Sequence, residues 1–217
     1  LYGLENLSHI PGEVGASAVQ NVGAYGVEAK DVIREVHAVA VESGEECVFS
    51  NADCRFGYRD SIFKNEWKGQ YIITSVVFHL SKQPQPRLDY GNLRQALAGK
   101  EPTPMNIREA VIAIRKQKLP EPEELGSAGS FFKNPIISSE HFQTILQQEH
   151  KTEAEIPHFE TADGIKIPAA WLIEQCGWKG KRQGGAQVYE KQPLVIVNTG
   201  NATAQDIITL AADITES

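Results

Sequence analysis

Apolar and polar positions along the 217-residue chain change period several times, and each change marks an element. Between Asn106 and Lys118, Ile107, Ala110, Val111 and Ile114 recur at three- and four-residue spacing. That places them on one helix face, and Pro120 closes the helix. From Val32 to Phe49 two β-rich runs flank Ser43-Gly44, the second beginning near Cys47, which predicts a hairpin. Tyr71 to Leu80 has a strongly apolar body and reads as a strand. Between them, Asn51 to Lys64 reads as turns or a short helix, with Ser50 or Asn51 as its cap.

Farther along, the pattern predicts a helix around Ser139 to Gln148, a polar loop to Lys166, and a helix from Pro168 to Cys176 that Gly177 ends. A strand at Leu194 to Asn198 and a helix from Thr203, its cap, to about Ile214 complete an α+β pattern. The proline-rich, acidic run from Leu119 to Gly126 reads as a link between two domains, 1–119 and 120–217.

Composition narrows the class. A hydrophobic content of 41% supports a real core, and a net charge of −7 without any Lys/Arg block argues against nucleic-acid or anionic-membrane partners. A local cationic pocket for a phosphorylated ligand is still compatible with that balance. Cys47, Cys54 and Cys176 are odd in number and lack metal-ligand spacing, so they read as reduced thiols of a cytoplasmic protein. The six histidines form no metal-binding pattern, and no metal site is expected. No apolar run approaches the roughly 20 residues of a membrane span, and Leu1 to Ser8 does not look like a signal peptide. The chain starts at Leu1, close to a functional-looking segment, and reads as part of a longer protein.

Three stretches carry candidate chemistry. Gly129 to Pro135 sets Ser130, Lys133 and Asn134 beside Phe131 and Phe132 on what reads as a short glycine-led turn. Ser130 lacks the Gly-x-Ser-x-Gly elbow and a nearby histidine, so it does not read as an acyl-transfer nucleophile. A hydroxyl holds its proton tightly; as a general acid it suits a strongly basic acceptor such as a carbanion or enolate. Pro11 to Gly26 has glycines at 12, 15, 23 and 26 and polar Ser17, Gln20 and Asn21, but it is neither a dinucleotide fingerprint nor a Walker loop. By residue type it is either a ligand-cradling loop or an irregular turn. Tyr58-Arg59 pairs a hydrogen-bonding ring with a guanidinium that can grip a carboxylate, or else Arg59 forms a structural pair with Asp60 or Asp53. Tyr90 alone reads as a core aromatic, and Arg115 and Lys116 as cations suited to a helix C-terminus.

Taken together, these stretches resemble the UDP-N-acetylenolpyruvoylglucosamine reductases, flavoenzymes of peptidoglycan synthesis. Ser130 to Pro135 is similar to that family's Ser-Phe-Phe-Lys-Asn-Pro signature, Cys54 to Ser61 to its Tyr-Arg motif, and Ile10 to Ser17 with Gln20 to Gly26 to its flavin loop. Weaker similarity at Trp171 to Gln175 extends the match. The resemblance implies part of an FAD-binding domain of the vanillyl-alcohol-oxidase type followed by a smaller α+β substrate-binding domain. It implies FAD contact by Pro11, Gly12, Gly15, Ala16, Ser17, Gln20, Asn21, Gly23 and Ala24, with NADPH as reductant. It places Arg59 at the substrate carboxylate and makes Ser130 the proton donor to carbon. Tyr58, Tyr90, Lys118, Lys133, Asn134 and Gln192 then surround a nucleotide-sugar substrate.

The long segment from Ile136 to Pro168 resembles the subgroup with a substrate-covering insertion, where a tyrosine of the family aligns with Phe159. The ring could still cover substrate, but it has no hydroxyl to bond the diphosphate. The family's upstream glycine-rich loop and downstream glutamate-bearing strand have no counterpart here, so the chain alone is expected to be inactive, to hold FAD poorly and to be monomeric. Another FAD-dependent oxidoreductase, or a non-catalytic nucleotide-sugar binding module, are the alternatives.

Overall fold

Periodicity becomes structure most directly in the first of two units, Leu1–Arg115 and Lys116–Ser217, into which the computed structural model, describing all 217 residues, divides. In chain order the first unit holds α1 (Val14–Gln20), β1 (Gly23–Ala24), β2 (Val27–Glu28), β3 (Ile33–Ala40), β4 (Glu46–Ser50), β5 (Tyr71–Phe78), α2 (Leu93–Ala96) and α3 (Pro104–Lys118), whose last residues pass the unit boundary. The expected hairpin is β3–β4, turning through Gly44 at φ +73°. β5 pairs on the other side of β3, giving an antiparallel sheet of order β4-β3-β5.

One sheet face is core. Val36 is buried there with Ala18 of α1, Ala29, Ile62 and Phe63. Fully burying a side chain the size of Val36 contributes about 1.5–3 kcal/mol. A second core joins Leu88, Leu93 and Leu97 to the predicted face of α3, Ile107, Ala110, Val111 and Ile114. α3 starts two residues before the pattern suggested: the Thr103 hydroxyl accepts from the Asn106 amide at 3.2 Å, and Pro104 fits the first helical turn, where its missing N–H costs nothing.

One sequence expectation changes in this unit. Pro11 to Gly26 is not a continuous loop. Val14–Gln20 is helical, Asn21 closes that helix at φ +43°, and Gly23–Ala24 pairs with Val27–Glu28. Asn51 to Lys64 is built of turns and the short 3-10 helix Ile62–Lys64, as expected, and Ser50 opens it: its amide and hydroxyl donate to Asp53 Oδ2 (2.8 and 2.6 Å) and its hydroxyl faces the Asp53 amide (3.3 Å).

The second unit contains β6 (Ser127–Ser130), β7 (Ile136–Ile137), α4 (Ser139–Gln148), β8 (Phe159–Thr161), β9 (Gly164–Lys166), α5 (Ala169–Gln175), β10 (Arg182–Gln183), β11 (Ala186–Val188), β12 (Val195–Asn198) and α6 (Ala204–Glu216). Its strands form two antiparallel sheets, β10-β11-β12-β6 and β7-β9-β8. The first packs Ala186, Val188 and Ile196 against Leu210, Ala211 and Ile214 of α6 and Ile173 of α5. The second packs Ile165 against Phe142 and Leu146 of α4, with Trp171 and Leu172 of α5 alongside.

Three predicted helices are present. α4 is capped by Ser138, whose hydroxyl accepts from the His141 amide; α5 ends before Gly177 at φ +70°; Thr203 caps α6 in a reciprocal box with Asp206. The polar loop to Lys166 instead contains the β8–β9 hairpin. The glycine-led turn at Ser130 is a correction too, because Ser127–Ser130 is an edge strand bonded to β12. No helix is long and apolar enough to cross a membrane.

Candidate functional site

Candidate residues fall on both units, and each group is built by its own unit. In the first, the two separate sequence motifs around Asn21 and Arg59 converge. The buried Asn21 carboxamide accepts from the Lys30 amide (3.0 Å) and donates to the Gly57 carbonyl (2.7 Å) and to Glu28 (3.2 Å), so its side chain is fully engaged by protein. Arg59 sits at φ +54°, a left-handed conformation that non-glycine residues seldom adopt. Lys64 supports it there, its Nζ donating to the Arg59 carbonyl (2.9 Å) and to Gln20 Oε1 (3.0 Å).

The Arg59 side chain runs back over the flavin-loop segment. Nη2 donates to the Gly23 carbonyl, Nη1 lies 3.5 Å from Glu28 Oε1, and the guanidinium carbon stands 5.1 Å from the Tyr58 ring centre. Gly23 leaves room for this seat, since a Cβ there would displace the guanidinium. Neither expected ion pair forms. Asp60 accepts from the Ser61 amide and from Asn65, while Ser50 holds Asp53, its hydrogen bonds pulling that carboxyl below its ordinary pKa.

Five of the nine residues expected at cofactor, Pro11, Gly12, Ala16, Ser17 and Gln20, line a cavity of about 480 Å³. Gly15 lines a second cavity of about 620 Å³, also bordered by Ala16 and by Phe63, Trp67 and Tyr71. Ala24 lies in β1. Tyr90 is 45% exposed and meets Tyr25 edge-on at 6.4 Å, so it is a surface ring rather than a core aromatic. Arg115 does more than complement the helix end: its Nε donates to the His9 carbonyl at 3.0 Å. Burial lowers its pKa and raises that of Tyr25. Lys118 is the exposed last residue of α3. Burial, with Asp53 behind it, pushes the Cys54 thiol up to about 11, which keeps it unreactive.

In the second unit Ser130 is exposed at the end of β6, opposite Val195. The next amide, of Phe131, donates to the Leu194 carbonyl at 2.8 Å. Gln192 sits in the turn leading into β12 and accepts the Val195 amide at 2.9 Å, so Ser130 and Gln192 share one end of the sheet. Lys133 borders an open groove of about 580 Å³ with Phe131, Phe132 and the last turns of α6. Asn134 turns inward, its Oδ1 accepting from the Ala169 amide at the start of α5 (3.0 Å). Phe159 is 49% exposed on β8, opposite Lys166, whose Nζ lies 5.8 Å from the ring centre. Residue-by-residue reading missed Glu28 and Lys64. Glu28 lies 31 residues from Arg59 and Lys64 lies 44 from Gln20, and no local pattern announces such pairs.

This α+β architecture is that of a known enzyme fold. The solved UDP-N-acetylenolpyruvylglucosamine reductase from Thermus caldophilus superposes with a TM-score of 0.65 at 24% identity, over 100% of this chain and 60% of that one. Residues 121–217 match the family model described as the C-terminal domain of UDP-N-acetylenolpyruvoylglucosamine reductase. The reductase of Chromobacterium violaceum is 48% identical over 221 aligned residues, covering 100% of this chain and 64% of that protein. Those of Neisseria meningitidis serogroup A and Flavobacterium johnsoniae are 51% and 49% identical, with 62% and 63% of their lengths covered. The chain is homologous to the UDP-N-acetylenolpyruvoylglucosamine reductases along its whole length, and spans somewhat under two thirds of the relatives it matches.

Proposed function

We propose that the full-length protein carrying this chain reduces the enolpyruvyl group of UDP-N-acetylglucosamine enolpyruvate, giving UDP-N-acetylmuramate for peptidoglycan. The observation that carries this reading is the seating of the Arg59 guanidinium on the Gly23 carbonyl, which joins the Tyr-Arg motif to the flavin-loop segment. Residues 1–119 would be the FAD-binding part and 120–217 the substrate-binding part, in a cytoplasmic monomer.

Bound FAD, itself reduced by NADPH, would supply the hydride. The cavity beside α1 fits an apolar ring with polar edges: Leu7, Ile10 and Pro11 give it apolar walls, and Ser17 and Gln20 give it polar ones. Gly12 and Gly15 would let backbone approach such a ring, with Ala16, Asn21, Gly23 and Ala24 completing the segment.

Once the terminal enolpyruvyl carbon takes the hydride pair, negative charge collects on the adjoining carbon and its carboxylate. Arg59 would hold that carboxylate and stabilise the charge. Ser130 would then donate its hydroxyl proton to the carbon, the strongly basic acceptor that an alcohol needs. Tyr58, Tyr90 and Lys118 would contact substrate from the first part of the chain, and Lys133, Asn134, Gln192 and Phe159 from the second. The 48–51% identity to proteins named as this reductase supports this assignment.

The test is a reoxidation assay on the full-length flavoprotein. After anaerobic reduction by NADPH, adding UDP-N-acetylglucosamine enolpyruvate should restore oxidised-flavin absorbance and yield a product two mass units heavier than the substrate. A flavin that stays reduced overturns the reading.

A further inference from the structure

Arg59 is held by more than its own motif. Gly23 and Glu28 are direct cross-strand partners in the β1–β2 ladder, and both anchor the guanidinium: the Gly23 carbonyl takes Nη2, and Glu28 Oε1 faces Nη1 at 3.5 Å. The two oxygens of Glu28 divide their work. Oε2 is taken by Lys30 Nζ (3.0 Å) and Asn21 Nδ2 (3.2 Å), which leaves Oε1 aimed at Arg59. The carboxylate is itself fixed, with its side chain only 23% exposed. A second carboxylate, Asp31, accepts from the Glu28 backbone amide at 3.0 Å, which further fixes the strand that carries Glu28.

We propose that Glu28 is a positioning residue for Arg59, setting the plane of the guanidinium so that its remaining N–H groups are presented in one fixed orientation. This rests on the reading of Arg59 as the group that grips the substrate carboxylate. A guanidinium free to swing on its long side chain would lose ordering entropy when it binds and would meet the developing charge out of register. With two anchors on one cross-strand pair, that ordering is complete before substrate arrives.

Position and charge separate in two variants of the full-length flavoprotein. Glu28→Gln keeps an oxygen acceptor at the reach of Arg59 but removes the charge. Glu28→Asp keeps the charge but draws the oxygen back by about 1.5 Å, one carbon–carbon bond. With flavin pre-reduced by dithionite, reoxidation by saturating substrate should slow about 10- to 100-fold in Glu28→Asp and by clearly less in Glu28→Gln. The reverse order, or two unchanged rates, overturns the proposal.

A second readout needs no substrate. Phenylglyoxal should modify Arg59 several-fold faster in Glu28→Asp than in wild type, read by peptide mass spectrometry, with Glu28→Gln between the two. Equal labelling in all three proteins refutes positioning even where wild-type turnover is normal. Absent wild-type reoxidation combined with the predicted labelling order would instead sink the functional reading alone.

Discussion

The side-chain oxygen of Asn134 accepts a hydrogen bond from the amide of Ala169 at 3.0 Å, across 35 residues of sequence. The signature segment therefore caps the helix Ala169–Gln175 from outside, a task its own Pro168 cannot perform with a side-chain acceptor. Asn134→Ala should destabilise the protein by about 1 kcal/mol, the usual cost of a lost cap. Asn134→Asp keeps the acceptor and adds a negative charge at a helix N-terminus, so it should unfold at the wild-type urea concentration or above it. Urea denaturation of the two variants checks both expectations.

Gly23 is the tightest point of the first unit. A methyl there would collide with the Arg59 guanidinium and lie 3.0 Å from Glu28 Cγ and 3.1 Å from the Val27 carbonyl oxygen. The backbone oxygen cannot step aside, so Arg59 must move. Gly23→Ala should cost about 1–3 kcal/mol by overpacking and should also abolish substrate-driven flavin reoxidation. Thermal melting and the reoxidation assay together test it; a variant as stable and as active as wild type would rule out the close packing.

Replacing Ser130 by alanine separates chemistry from folding. The residue is exposed at the end of its strand, so stability should change by no more than about 0.5 kcal/mol. Reduction of the flavin by NADPH should proceed normally, while reoxidation by the enolpyruvyl substrate should fall about 10²- to 10⁴-fold if the hydroxyl is the proton donor. Normal reoxidation would remove Ser130 from the mechanism.

Acid sensitivity follows from three exposed carboxylates that close local turns. Asp206 accepts from Thr203, Asp53 from Ser50 and Glu155 from Thr152, and these hydrogen bonds pull all three below their ordinary pKa values. A carboxyl whose folded pKa lies below its unfolded value, about 4, adds stability that is complete above that value. The contribution disappears as pH falls through the folded pKa. Stability measured against pH should decline below about 4, and Asp206→Asn, which has no such proton to gain, should decline less steeply over the same window. A parallel pair of curves would contradict this.

The sequence disclosed elements wherever one period ran long enough. α3 shows four core positions on one face, and β3–β4 shows two β-rich runs about a single Ser-Gly turn. Shorter elements were hidden. Gly15 leaves the packed face of α1 without a side chain beside Ala18 and Val19, and the seven-residue helix follows Pro11 and Gly12. The Ser-Ala-Gly-Ser strand has no β-branched residue and is a strand because β12 offers it a ladder. The partner of Arg59 was hidden for a related reason: Asp53 and Asp60 are nearer in sequence, but each is already taken by a local turn, and tertiary pairing delivers Glu28 instead. Motif identity was legible at Ser130, Arg59 and the Pro11 to Gly26 segment because unusual residues stand there in fixed order. Geometry among them was not, since it depends on which strands meet.

The helix Ala169–Gln175 gives its Ile173 to the core under the four-stranded sheet and its Trp171 and Leu172 to the core under the three-stranded one. Neither sheet can open without stripping apolar cover from the other. The smaller one, whose strands are only two or three residues long, borrows its persistence from the larger, so the second unit should behave as a single foldon with one shared opening event.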